Sequence, residues 1–115
     1  FEHNLEADNY RQVVAAYEVF RHRDPQFHLD ETVLNEWGYA LMKKRKSTQA
    51  IELLKLGVYL HPSSANTYDS LAVAYEKHGD IALAIANYRK ALRMEPDNAG
   101  LDAPQRLKVL ASGRR

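Results

Sequence analysis

The sequence contains no cysteine, so disulfide staples and thiolate metal ligands are excluded, and the redox compartment is left open. No apolar run is long enough to span a bilayer, and no signal-peptide pattern is present, so no membrane partner is expected. Neither sign of charge dominates: sixteen basic residues face fifteen acidic ones, for a formal net charge of +1. That balance argues against the basic footprint of a nucleic-acid binder. The five glycines are scattered and form no phosphate-cradling loop. With no GxSxG elbow and no HExxH pair, the sequence reads as non-catalytic, without catalytic residues or a cofactor. The chain opens on Phe1 rather than Met, which reads as a piece of something longer. Its 115 residues suffice for one unstapled core.

What is present is a repeat. Pro62 and Pro96 lie 34 residues apart, and the same offset pairs Leu34 with Tyr68, Trp37 with Leu71, Gly38 with Ala72 and Leu41 with Tyr75. It also pairs Ala50 with Ala84, Ile51 with Ile85, Leu54 with Tyr88 and Gly57 with Ala91. Nine matches at one offset set the organisation of the chain. Within a unit, Tyr68, Leu71, Ala72 and Tyr75 recur at helical spacing, Gly79-Asp80 breaks the pattern, and Ile81, Ala84, Ile85, Tyr88, Ala91 and Leu92 form a second face. Small residues at Gly38/Ala72, Ala50/Ala84 and Gly57/Ala91 predict close helix crossings, and the prolines end each second helix. The Ser and Asn residues of "PSSAN" and "PDNAG" are candidate caps for the following helices.

A 34-residue helix–turn–helix carrying Leu34, Trp37-Gly38, Leu41, Ala50, Leu54, Gly57 and Pro62, then Tyr68, Leu71-Ala72, Tyr75, Gly79, Ala84, Tyr88, Ala91 and Pro96, resembles the tetratricopeptide repeat. The resemblance implies an all-α fold, a right-handed α-α superhelix of helical hairpins with a C-terminal capping helix. The expected organisation is one domain over 1–115: an N-terminal helix at 7–25 from a partial repeat, repeats at 31–64 and 65–98, and a capping helix and tail at 99–115. In the N-terminal helix Tyr10, Val13, Val14, Tyr17 and Phe20 share a face, and the first eight residues are too few for a full partner helix. The 37-residue interval from Pro25 to Pro62 makes the junction at "PQFHLD" irregular. Asp102-Ala103-Pro104 reads as an N-cap with Pro in the first turn, and the "SGRR" tail reads as frayed.

The resemblance also implies a concave face used by proteins or peptides. Unit positions 2, 5, 9, 12 and 13 point into it in that family. Here they are Thr32, Asn35, Tyr39, Met42 and Lys43, then Asn66, Asp69, Val73, Glu76 and Lys77. Asn side chains can bond both backbone groups of an extended peptide, while Tyr39 and Met42 add apolar area. The clamp that family members use for chaperone tails is missing, because Asn35, Tyr39, Asn66, Asp69 and Ser70 do not supply its lysines. Asp69 and Glu76 would repel a phosphate backbone, so no nucleic-acid partner is expected. A looser similarity, carried by "LNEWGYALM" and "SANTYDSLAVAY", is to the repeat extension of bacterial serine hydrolases of the esterase and β-lactamase-like groups. It implies an accessory domain that positions or oligomerises an enzyme whose active site lies outside these residues. The peptide partner would then belong to the parent chain, and an exposed terminal helix offers a route to self-association.

Two motifs have plainer readings. In "RHRDPQFH" the His22 and His28 spacing matches no common metal-ligand pattern, so no metal site is expected. The run Lys43 to Lys46 could be a nuclear address, but it falls where a helix ends, and positive charge suits that end. The 34-residue offset places Arg45 opposite Gly79, so that if the bend needs a left-handed residue, Arg45 carries it at a cost relative to glycine; otherwise the first turn has another geometry.

Overall fold

The computed structural model describes residues 1–113, which leaves Arg114 and Arg115 of the "SGRR" tail outside the described residues. The chain folds as α1 (Glu2–Ala7), α2 (Val13–Arg23), α3 (Glu31–Lys43), α4 (Ser47–Leu60), α5 (Ala65–His78), α6 (Ile81–Met94) and α7 (Ala103–Ala111). No strand occurs among the described residues, and none of these helices is long and apolar enough to cross a membrane. From α3 to α7 neighbouring helices pack in sequence order, and the described residues extend 47 × 27 × 18 Å. The radius of gyration is 14.3 Å, against roughly 13 Å for a compact domain of this length.

The turns explain why the helices pair. Lys46 N–H reaches Leu41 C=O at 2.9 Å and Arg45 N–H reaches Met42 C=O at 2.9 Å. One repeat later, Asp80 N–H bonds Tyr75 C=O at 2.9 Å and Gly79 N–H bonds Glu76 C=O at 3.1 Å. Both are Schellman ends, which need one left-handed residue to turn the chain back and satisfy the last carbonyls. Gly79 takes it with φ +94° and Arg45 with φ +60°, so the bend opposite Gly79 does need a left-handed residue. A side chain in that region costs about 1 kcal/mol relative to glycine. Arg45→Gly is therefore expected to raise the melting temperature by about 4 °C. An unchanged or lower melting point would mean that Arg45 is held by something other than its backbone.

The N-terminus departs from the single helix expected over 7–25. Tyr10 N–H bonds Leu5 C=O at 2.8 Å and Asn9 N–H bonds Glu6 C=O at 3.1 Å, with Asn9 at φ +56° and Tyr10 at φ +61°. The same turn chemistry thus recurs a third time, and asparagine tolerates the left-handed region better than most residues. The first residues make a short partner helix, α1, rather than an unpaired lead-in, and they bury Leu5. Tyr10 lies in the turn rather than on α2, yet it is also buried. The rings of Phe1, Tyr10, Tyr17, Phe20, Phe27 and Trp37 form a connected cluster with centroids 5.4 to 6.3 Å apart. Trp37 Nε1–H donates to Tyr10 Oη at 3.2 Å, which ties this hairpin to α3. Phe27 from the irregular junction fills the same cluster, so the extra loop residues serve packing.

The core follows the repeat. Leu34, Leu41, Ala50, Ile51, Leu54, Leu71, Ala72, Tyr75, Ala84, Tyr88 and Ala91 are all buried. Trp37 and Tyr68 are half-buried at the edges of this core. The expected caps act differently: Ser64 precedes α5 without a capping bond, and its hydroxyl donates to Glu31 Oε2 at 2.6 Å instead.

Candidate functional site

Six of the ten residues singled out from the sequence converge. Tyr39, Met42 and Lys43 on α3, with Val73, Glu76 and Lys77 on α5, line one cleft of about 610 Å³. Tyr88 of α6 and Asp102 and Arg106 of the α7 segment complete it. The other four lie elsewhere. Thr32 is exposed, and Asn35 is half-buried, with its side-chain oxygen enclosed and without a hydrogen-bond partner. Asn66 lines a separate hollow with Glu31, His61 and Glu95, among others.

Asp69 needs a correction. It is 4% exposed, and its carboxylate accepts the N–H of Asp102 and the N–H of Ala103, both at 2.9 Å. It therefore caps the first turn of α7 from another helix, the role that the sequence suggested for Asp102 itself. Asp102 occupies the N-cap position but makes no capping bond with its own side chain. The preference of a helix N-terminus for an anionic acceptor is satisfied across the fold. Burial pushes the Asp69 carboxyl up, and the two N–H donors pull it back.

Glu76 is likewise committed. It pairs with the Arg106 guanidinium through two contacts and accepts the Tyr88 hydroxyl at 2.8 Å. The Arg106 hydrogen bond holds this carboxyl below the ordinary Glu range, with Tyr88 adding and burial opposing. A lowered folded value means that the contribution is present above the unfolded carboxylate value and is lost as pH falls through the folded one. Asp69, raised by burial, acts in the opposite sense. Glu76→Gln should remove the acid-side loss. The difference in urea midpoint between wild type and Glu76→Gln is expected to shrink from roughly pH 6 to pH 3. A difference that stays constant over that range would show that the ion pair contributes nothing that titrates.

Tyr39 stands at the cleft wall with its hydroxyl 3.5 Å from Asp102 Oδ2. Burial and the Asp102 and Asp69 carboxylates push its phenol up to about 12, so at neutral pH it is a hydrogen-bond donor. Met42 is half-buried and Val73 is 9% exposed, which gives the cleft an apolar base. Lys43 and Lys77 are exposed at its edge, and among the described residues neither forms an ion pair.

Sequence reasoning missed Tyr88, Asp102 and Arg106. Positions 2, 5, 9, 12 and 13 describe first helices only, whereas these three come from a second helix and from a segment that has left the repeat. No spacing rule places α7, since it begins at Ala103 and the previous unit's first helix begins at Ala65. The one available sign was Arg106, a basic residue near the start of a capping helix whose neighbouring unit offers acids at Asp69 and Glu76.

Residues 65–98 match the family model of the tetratricopeptide repeat. No curated protein gives a match to the chain.

Proposed function

We propose, from the premise that residues 65–98 are a tetratricopeptide repeat, that this chain is a non-catalytic module that holds an extended peptide segment in the cleft between α3, α5 and α7. The repeat family is in general a protein-interaction family, and the finer statement about the cleft is our own. One observation carries it: the repeat brings Tyr39, Met42, Lys43, Val73 and Lys77 to a single concavity with an apolar base and polar edges. A cleft of about 610 Å³ lies within the size range of ligand sites, roughly 300 to 1,000 Å³. The array over 31–98, with the α1–α2 hairpin before it and α7 after it, works in this reading as one domain.

The rival reading, an accessory domain of a serine hydrolase, expects an apolar docking patch along α2. That helix buries Val13 and Tyr17, half-buries Val14 and Phe20, and leaves only Val19 as an exposed large apolar side chain. This weighs toward the peptide module.

The test is selection of a random-sequence peptide display library on the immobilised protein. Tyr39→Ala should weaken capture of the enriched peptides by roughly thirtyfold, the equivalent of about 2 kcal/mol for an aromatic anchor. Asn66→Ala, outside the cleft, should leave capture unchanged. Enrichment that ignores Tyr39→Ala would move the binding surface elsewhere.

A further inference from the structure

The sequence offers the concave face charges of both signs, with Asp69 and Glu76 set against Lys43 and Lys77. The structure commits both of these acids to partners inside the fold. Asp69 is buried and spends both carboxylate oxygens on backbone N–H groups of α7. Glu76 is neutralised by Arg106 and bonded by Tyr88. The only other acid at the cleft, Asp102, lies beside Tyr39. Beside this one exposed acid stand two exposed lysines at the edge, Lys43, the last residue of α3, and Lys77, its 34-residue counterpart in the last turn of α5. Their equivalence under the 34-residue repeat gives the cleft edge one lysine from each hairpin.

Resting on the peptide-module reading, we propose that the cleft selects an acidic peptide segment. An apolar side chain of the ligand sits on Met42 and Val73, and carboxylates flanking it meet Lys43 and Lys77. Charge complementarity commits the proposal to this ligand class. With Glu76 paired to Arg106 and Asp69 buried under backbone N–H donors, the exposed charges left at the cleft are two lysines against one acid, Asp102, although the whole chain carries only +1. Lysines on flexible stems suit the task, since they follow a carboxylate without demanding a fixed geometry.

The experiment uses the full chain and the peptide library described above. Peptides enriched on wild type and lost on Tyr39→Ala should be rich in Asp and Glu beside a large apolar residue. The strongest of them, compared with its Gln-for-Glu counterpart, should bind roughly tenfold tighter at low salt, which is about 1.4 kcal/mol. That gap should close with rising salt, because exposed pairs are screened. Lys43→Gln with Lys77→Gln should abolish the gap between the acidic peptide and its Gln counterpart. These variants are exposed, so folding is retained and checked by melting. If Tyr39-dependent peptides are enriched but neutral or basic, the acidic preference is overturned and the module reading survives. If no enriched peptide depends on Tyr39, both are overturned. If the gap persists in the double variant, the lysines are not the selecting groups and the proposal fails.

Discussion

Asp69→Ala is expected to loosen α7 selectively and to lower the stability of the whole chain by about 2 kcal/mol. The reasoning begins with the N–H groups of Asp102, part-buried, and Ala103, buried, which both donate to Asp69. Both use one carboxylate, and alanine would leave them without an acceptor. An unsatisfied buried polar group costs about 1 to 3 kcal/mol. The loss of the anion at the helix N-terminus adds to this by about 0.3 to 1 kcal/mol. One effect runs the other way. Burial pushes the Asp69 carboxyl up, so removing it also relieves the cost of holding a charge out of water. The net stays destabilising because two donors are orphaned for one acid removed. Asp69→Asn keeps an acceptor oxygen and should lose about half as much. Hydrogen exchange gives the sharpest readout: amides of 105–110 should exchange faster in Asp69→Ala, while those of α3 and α4 should be unaffected below global unfolding. Leu101, Ala103 and Leu110 are buried and also anchor α7. Unchanged protection in α7 would mean that these apolar contacts hold the helix without the cap.

The repeat was legible because its signals are local and repeated. Gly79 and Arg45 share a turn, and the 34-residue offset was enough to set Arg45 opposite Gly79, while the backbone hydrogen bonds decided that the bend is left-handed. The pairing of small residues at the crossings was legible for the same reason. Asn9 carried a third copy of the turn, but the offset to Arg45 is 36 residues rather than 34, and the apolar period of 10–20 ran through it. A helix over 7–25 was the natural reading, and the hydrogen bonds to Leu5 and Glu6 carbonyls overruled it. The candidate site was legible only in part. The resemblance to the repeat family implies which residues of a first helix face the groove, and Tyr39, Met42, Lys43, Val73, Glu76 and Lys77 of that set line one cleft. The resemblance says nothing about what else comes to that face. Asp69 and Glu76 were therefore read as charges facing a ligand, when α7 consumes both. Asymmetric contacts between a repeat and a non-repeating helix leave no periodic trace.

The second large effect is expected at the first hairpin, where Gly38→Ala should cost about 1 to 2 kcal/mol. A Cβ on Gly38 would lie 2.7 Å from Leu54 Cδ2, 2.8 Å from its Cγ and 2.9 Å from its Cδ1. All three are closer than carbon atoms pack, and the branch point is among them, so the whole side chain must move. Leu54 is 1% exposed and has no solvent-facing rotamer to retreat to. Overpacking of this kind costs about 1 to 3 kcal/mol. Exchanging glycine for alanine inside a helix returns up to about 1 kcal/mol, so the net is smaller than the clash alone. The second hairpin carries Ala72 and Tyr88 at the equivalent positions, both fully buried. A flat ring there replaces the branched end of a leucine, which is how one fold accommodates both pairs. The mechanism predicts non-additivity. Leu54→Ala alone should cost about 2 to 5 kcal/mol, but the added methyl in the Gly38→Ala background partly fills the space it vacates. Urea unfolding of the four species should therefore give a coupling of at least about 0.5 kcal/mol in favour of the double variant. Strict additivity would mean that the two helices separate to admit the methyl, and that close approach at Gly38 does not set the geometry of α3 against α4.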